Sequence, residues 1–297
     1  MALDNLLFIV QLLRVKQWVK NAFILFPLIF SGHLRNLSYL TDVVLTFLGF
    51  CFTASSIYVL NDYLDREKDR LHPKKSHRPF VRRNIPARSV ALLIFALLSI
   101  GLGICVWVDP MVALIAVTYL VVQLAYNLAI KHVVILDVVF VAFGFQIRIW
   151  AGAFAAGVLP SVWLQLCVFL LALFLGFNKR RHELESLQHE AKSHRKVLEH
   201  YTTYLLDQII VICSTLAIVF YGLYTISSDI VNRLGNHNMA YSLVFVIYGM
   251  LRYLYLVHVK KIGDDPGEVL LQDKSLMIGV GLWVIFVTAI LYGVGKS

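Results

Sequence analysis

The sequence predicts an all-α integral membrane protein, a bundle of nine transmembrane helices. Three observations predict it. Of the 297 residues, 59% are hydrophobic and only 15% are charged, and the mean hydropathy is +0.74. An ordinary soluble domain carries roughly 25% charged residues, so a soluble globule of this size could not hide so much apolar surface. The same numbers exclude intrinsic disorder, a coiled coil and a disulfide scaffold. Next, the apolar stretches are long and continuous, not alternating with period two, which selects helices over the strands of a membrane barrel. Finally, nine spans of about 20 residues each, plus loops, use up the chain. One transmembrane domain over 1–297 is expected, with no large soluble domain beside it.

The spans follow in order. The first lies near 10–31 and stops at Ser31-Gly32-His33. The second, near 41–61, runs into a charged stretch that begins at Asp62. Spans near 89–108 and 111–130 are parted by Asp109-Pro110, a stop followed at once by a helix start. The fifth, near 134–157, ends at Gly157-Val158-Leu159-Pro160, and the sixth, near 161–177, runs into Asn178. The seventh and eighth, near 204–226 and 239–258, are separated around Asn236-His237-Asn238, and the ninth lies near 275–295. The two most polar loops follow spans two and six, which hints at two halves of similar build.

Basic residues orient these spans. The polar stretches 62–88, 178–200 and 260–274 carry nine, six and three Lys and Arg. With Lys131 and with Arg14, Lys16 and Lys20, 22 of the 27 fall on one side, against Arg35, Arg233 and Lys296 on the other. Cytoplasmic loops collect positive charge. The N-terminus and the long loops are therefore expected in the cytoplasm, on the inner side of the cell membrane, and the C-terminus outside. The net charge of +9 is read the same way, as contact with membrane lipids and not with nucleic acid. Cys51, Cys105, Cys167 and Cys213 all lie in apolar runs and form no CxxC pair, so they read as small core residues. No cleaved signal peptide is expected at the N-terminus.

The strongest chemical signal is Asn61-Asp62-Tyr63-Leu64-Asp65-Arg66-Glu67-Lys68-Asp69. If the helix continues, Asp62, Asp65 and Asp69 share one face. Carboxylates so close repel, and a divalent cation removes the conflict. Oxygen ligands suit Mg²⁺, which bridges carboxylates to substrate phosphates. The plainer alternative is a solvated helix end, since Arg66, Lys68 and Arg70 interleave. A basic run follows, His72 to Pro79, in which Lys75 and Arg78 stand nearest the acids. Arg grips phosphate as a fork and Lys as a point charge; anchoring to anionic lipid is the alternative. Arg148 lies inside span five, where a buried cation is costly unless paired. Asp137, at the membrane boundary, is a ligand, a cap or a partner for Lys131. Arg14, Gln17, Lys20 and Asn21 recur on roughly one face of span one; either they line a site, or Arg14 and Lys20 merely snorkel.

The Asn-Asp-x-x-Asp-x-x-x-Asp pattern resembles the UbiA-type intramembrane prenyltransferase superfamily. Further segments resemble its polyprenyl-phosphate phosphoribosyltransferase branch. They are Leu13 to Asn21, His72 to Pro79, Gly176-Phe177-Asn178-Lys179-Arg180-Arg181-His182-Glu183-Leu184, and Arg252-Tyr253 with Gly267-Glu268 and Asp273. Tyr126 and Lys131 match the superfamily's Tyr…Lys segment, which implies phosphate contacts for the lysine. The chain departs from the wider superfamily after span six, where Lys179, Arg180 and Arg181 replace a second aspartate motif and Glu183 is the nearest acid.

The resemblance implies a nine-helix UbiA-like bundle whose polar cavity opens to the cytoplasm. It implies Mg²⁺-dependent transfer of 5-phosphoribose from 5-phosphoribosyl 1-diphosphate to a polyprenyl phosphate, in cell wall biosynthesis. Asp62, Asp65 and Lys179 would be catalytic, and Asp62, Asp65 and Asp69 would hold the metal. Arg14, Gln17, Lys20, Asn21, Asn61, Lys75, Arg78, Tyr126, Lys131, Asp137, Arg148, Arg180 and Glu183 would bind substrate. Relatives suggest self-association, as a homotrimer. Two other readings remain. An aromatic prenyltransferase using a polyprenyl diphosphate shares the first motif but needs the missing second one. A transporter would put Arg148, Arg252 and Asp137 on a path near the midplane, whereas the densest polar cluster lies at one face.

Overall fold

The computed structural model describes residues 8–70, 76–83, 85–187, 196–262 and 266–293. Eight long helices account for most of them: α1 (Leu37–Leu64), α2 (Ala87–Val108), α3 (Pro110–Leu128), α4 (Leu136–Ala155), α5 (Val162–Leu187), α6 (Thr203–Thr225), α7 (Leu243–His258) and α8 (Lys274–Gly293). All eight are long and apolar enough to cross a membrane, α7 together with the 3-10 turn Asn238–Ser242 that leads into it. Among the described residues there is no β-strand.

Local chemistry sets several helix starts. Asn36 caps α1 by accepting the Ser38 N–H at 3.1 Å. Asp109 accepts the Met111 N–H at 2.6 Å, and Pro110 takes the first position of α3, where no N–H is missed. Thr202 caps α6 through the Leu205 N–H at 3.1 Å.

The first predicted span has another form. Arg14 adopts φ 51°, and the chain then runs as a 3-10 helix, Val15–Leu25, into a six-residue α-helix, Phe26–Ser31, with Pro27 in its first turn. The 3-10 geometry rises about 2.0 Å per residue, so these 17 residues extend about 31 Å, close to a hydrocarbon core of about 30 Å. It also stacks every third residue. Trp18, Asn21 and Ile24 form one such row. The Trp18 indole donates to Ser55 Oγ at 3.0 Å, Asn21 Nδ2 donates to Cys51 Sγ at 3.2 Å, and Ile24 is fully buried. Arg14, Gln17 and Lys20 form the adjacent row. The expected shared face therefore divides, with Asn21 turned into the protein.

Two compact units emerge, residues 1–130 with 147–159, and residues 131–146 with 160–297. In the first, α1 packs on α2 where Gly49 and Gly101 meet, beside Thr53 and Cys105. A Cβ on Gly101 would meet the Gly49 carbonyl at 2.7 Å, and one on Gly49 would meet the Gly101 carbonyl at 2.9 Å. Small residues permit such backbone approach in membrane helices. The core of this unit includes Ile24, Leu28, Phe50, Val112, Ala116 and Tyr119. In the second unit α5 packs on α6, and α7 on α8, around Phe174, Phe177, Leu206, Ile210, Tyr253 and Leu256. The first half of α4 belongs to the second unit and its last part to the first. In each unit the longest helix ends in a polar motif, and the next long helix returns against it.

Candidate functional site

The acidic motif stands at the end of α1. The helix closes at Leu64, Asp65 follows with φ −88°, and a short helix Arg66–Arg70 continues. The Asp65 N–H bonds the Asn61 carbonyl and the Asp69 N–H bonds the Asp65 carbonyl, both at 2.9 Å. Helical bonding is thus nearly unbroken, and Asp62 and Asp69 come to the same side. Both are buried, while Asn61 and Asp65 are half-buried.

Arginine holds these acids together. Arg78 Nη1 donates to Asp62 Oδ1 at 2.8 Å and to Asp69 Oδ2 at 2.6 Å. Arg14 Nε donates to Asp62 Oδ2 at 2.8 Å, and its Nη2 pairs with Oδ1. The left-handed backbone at Arg14 aims that guanidinium, and Ser55 Oγ anchors the preceding turn by donating to the Leu13 carbonyl at 2.8 Å. Arg78 is set by the buried Pro79 and Phe80 that follow it, the latter in a cluster with Val59, Val90 and Leu97. Two carboxylates aimed at one cationic nitrogen are a donor set that fits a hard divalent cation. Among the described residues, no three His, Cys, Asp or Glu side chains are already grouped around such a position. Lys75 lies outside the described residues.

Arg148 is buried in α4. Its Nε donates to Asn21 Oδ1 at 2.7 Å and its Nη2 to the Tyr119 hydroxyl at 2.9 Å. Its guanidinium also lies 4.7 Å from the Tyr119 ring centre. Gln17, Lys20 and Tyr126 are half-buried.

The second unit holds a separate constellation. Asp137, in the first turn of α4, is fully buried, and so in large part are Arg180 and Tyr201. Arg180 Nε donates to Asp137 Oδ2 at 2.6 Å and its Nη1 to Glu183 Oε2 at 2.6 Å. The Tyr201 hydroxyl donates to Asp137 Oδ1 at 2.8 Å and accepts the Ile135 N–H at 2.6 Å. Burial pushes the Tyr201 phenol above its ordinary value, so it remains a neutral donor near pH 7. Of the three roles open to Asp137, pairing prevails, with Arg180 and not Lys131 as the partner. Ile135 has φ 69°, a conformation costing a β-branched residue about 1–2 kcal/mol. Lys131 lies in the 3-10 turn Ile130–His132 and is half-buried, as is Lys179.

With this geometry in hand, the chain can be set beside known proteins. Residues 24–267 match the UbiA prenyltransferase family.

The chain belongs to the UbiA prenyltransferase family.

Curated relatives include a decaprenyl-phosphate phosphoribosyltransferase from Mycolicibacterium smegmatis, 32% identical, covering 96% of this chain and 92% of the relative. A protein of the same name from Corynebacterium glutamicum is also 32% identical, with 95% and 86% covered. Among solved structures, a UbiA homolog from Archaeoglobus fulgidus bound to GPP and Mg²⁺ superimposes with TM-score 0.69 at 18% identity, covering 95% of this chain and 98% of that one. The UbiA fold expected from the sequence is the fold observed, and the protein is a multi-pass membrane protein.

Within this UbiA family chain, the basic end of α5 is more internally paired than its composition suggests. Arg181 Nε donates to Asp207 Oδ1 at 2.5 Å and Arg181 also pairs with Glu185 at 2.9 Å. Arg252 makes a two-point contact with Asp273, at 3.1 and 2.8 Å, and Asp273 also accepts the Leu276 N–H at 2.7 Å. That guanidinium, the first of several causes, holds the Asp273 carboxyl below the usual carboxylate range. Sequence reasoning missed Tyr201 and Tyr119. No local pattern marks Tyr201. Tyr119 had one faint signal, a phenol in mid-span that needs a polar partner when buried.

Proposed function

We propose that this protein transfers 5-phosphoribose from 5-phosphoribosyl 1-diphosphate to a polyprenyl phosphate, releasing diphosphate at the cytoplasmic face of the cell membrane. The observation that carries this reading is the likeness, over nearly the full length of both chains, to decaprenyl-phosphate phosphoribosyltransferases. Lys179 in place of a second aspartate motif agrees with it, because two anionic substrates need cations as well as carboxylates; Arg180 and Arg181 are engaged by carboxylates of the protein. The whole chain then acts as one catalytic domain.

In this reading Asp62 and Asp69, with Asp65 beside them, would hold a divalent cation, Mg²⁺, which would supply charge neutralisation for a diphosphate leaving group. Arg78 and Arg14, now turned onto the carboxylates, transfer to the donor's phosphates, where Arg forks bind well. Asn61, Gln17 and Lys20 bind substrate from the first unit. Lys179, Lys131 and Lys75 bind phosphate as point charges. Tyr126 contacts substrate from the first unit. Arg180 and Glu183 act more indirectly, since Arg180 is committed to Asp137 and Glu183. Asn21 and Arg148 hold the 3-10 segment that bears Arg14. The C1–O bond to diphosphate breaks as an oxygen of the lipid phosphate bonds to C1. That oxygen is already anionic, so no strong general base is required. Catalysis is mainly positioning and electrostatic stabilisation.

The test is an assay on purified protein with Mg²⁺, polyprenyl phosphate and donor labelled in the ribose. Label is expected in the lipid fraction and is expected to vanish with EDTA. Absence of labelled lipid from folded protein, with turnover of a polyprenyl diphosphate and an aromatic acid instead, would overturn the proposal. Asp65→Asn is expected to abolish turnover without loss of expression; near-normal turnover would remove Asp65 from the metal site.

A further inference from the structure

We infer that Tyr201 is a positioning residue whose hydroxyl clamps the turn 133–137, and thereby sets Lys131 on one side of the turn and Arg180 on the other. The inference rests on the proposed reading only in assigning Lys131 to a substrate phosphate.

The turn needs a clamp. Ile135 is a β-branched residue at φ 69°, and such conformations persist only where the surroundings over-determine them. Its own side chain is no counterweight, being 46% exposed. The counterweight is at its backbone. The Ile135 N–H donates to the Tyr201 hydroxyl at 2.6 Å, and the same oxygen donates its single proton to Asp137 Oδ1 at 2.8 Å. One atom thus ties two positions two residues apart. Asp137 is fixed at its other oxygen by Arg180 at 2.6 Å, and its backbone N–H bonds the Val133 carbonyl at 3.0 Å. Tyr201 itself is 4% exposed and sits beside the buried Val197 and Leu198, so it offers a rigid anchor from a distant part of the chain. The phenol ring fills space that phenylalanine would fill equally. What only the hydroxyl supplies is the register of the turn that follows Lys131. The Asp137 carboxylate, left with one bond fewer, would also relax its hold on the Arg180 guanidinium.

A two-site experiment on the full-length protein tests this. Tyr201→Phe keeps the ring and removes both bonds. It is expected to raise the KM for the substrate whose phosphate Lys131 binds by about 5- to 20-fold, the scale of one or two lost hydrogen bonds, with kcat within about twofold. Amide exchange over 130–140 is expected to rise in parallel. Ile135→Gly relieves the backbone strain, because glycine accepts positive φ freely, and alone leaves activity near that of the parent. In Tyr201→Phe/Ile135→Gly both the KM and the exchange are expected to return most of the way. A ring that merely packs predicts no rescue by glycine at residue 135. Unchanged amide exchange over 130–140 in Tyr201→Phe, or a loss that Ile135→Gly leaves untouched, overturns the inference. Should Tyr201→Phe fail to accumulate, accumulation of the double variant is the same rescue, and failure of both counts against it. Lys131→Ala separates the two ideas. A raised KM in Lys131→Ala beside unchanged kinetics in Tyr201→Phe overturns the role of Tyr201 alone. Unchanged kinetics in both, with faster exchange in Tyr201→Phe, leaves the clamp and overturns the substrate role of Lys131.

Discussion

Arg78 stands where a cation shared by two carboxylates would stand, 2.8 Å from one and 2.6 Å from the other. Without substrate, the acids are satisfied by the protein itself, so a free divalent ion must compete with a guanidinium. Arg78→Ala removes the competitor and also a phosphate fork. Two opposite effects are therefore expected: tighter Mn²⁺ binding to the substrate-free protein, read by paramagnetic resonance, and a donor KM raised about 10- to 100-fold, as for loss of a charge-assisted bond. Arg78→Lys should fall between, as a point charge cannot reproduce the fork. Weaker Mn²⁺ binding in Arg78→Ala would contradict the competition. A second residue carries a pH dependence. Arg252 lowers the Asp273 carboxyl in the folded state, so the pair stabilises fully above the ordinary carboxylate range, and this is lost as pH falls through the lowered value. The thermal midpoint of the parent should exceed that of Asp273→Asn near pH 7, and the gap should close below about pH 4. An equal gap at both ends would exclude the pair as its cause. At this scale the sequence was uneven. Asp62, Asp69 and Arg78 stood out as candidates because charge type and spacing are local, whereas the pairing of Arg14 with Asp62 spans 48 residues and left no local trace. The neutralisation of Arg180 was not legible either, because Asp137 lies 43 residues away.

The 3-10 segment Val15–Leu25 is the element where reading and structure part. Eight long helices were legible because apolar runs average out local detail. Over this segment, however, too few polar residues mark a face for polarity alone to separate a period of 3.0 from one of 3.6. Trp18, Asn21, Ile24 and Pro27, spaced by three and turned inward, are the trace left in the sequence. The tighter helix is stabilised from outside, by Ser55, Cys51 and Arg148 and by the close passage of Gly152. A Cβ on Gly152 would run into the Ile24 carbonyl, a backbone atom with little room to yield. Gly152→Ala should therefore cost about 1–3 kcal/mol, seen as a lower thermal midpoint, and should raise the donor KM because Arg14 rides on the same segment. Gly249→Ala is the control, since its added Cβ would meet nothing within 4 Å, and it should be neutral or slightly stabilising. Equal midpoints for the two variants would mean that the segment does not depend on this contact.

For the whole molecule, the form of that segment decides the parity of the crossings. Eight helices are each long and apolar enough to span; alone they would return the chain to the side it left. If the 3-10 segment and the helix Phe26–Ser31 also cross, the number is odd and the termini lie on opposite faces. Two arguments favour crossing. The 17 residues extend about 31 Å in this geometry, enough for a hydrocarbon core of about 30 Å, although an ideal α-helix of the same length would reach only about 26 Å. Charge agrees, since nine crossings put 22 of the 27 Lys and Arg on one side and leave Arg35 opposite them. With eight crossings, the segment carrying Arg14, Lys16 and Lys20 would have to lie on the face that is otherwise poor in cations. The prediction is an inside N-terminus and an outside C-terminus. Alkaline phosphatase fused after residue 297 should be active, and a fluorescent protein fused there should stay dark. The reverse pair would put the acidic motif and the long loops outside, whereas an outside C-terminus together with an N-terminal tag that is also labelled from outside intact cells would mean that the first segment dips and returns without crossing. Arg14 would then come to Asp62 from a re-entrant turn, and the cytoplasmic placement of the acidic motif would have to rest on the loops alone.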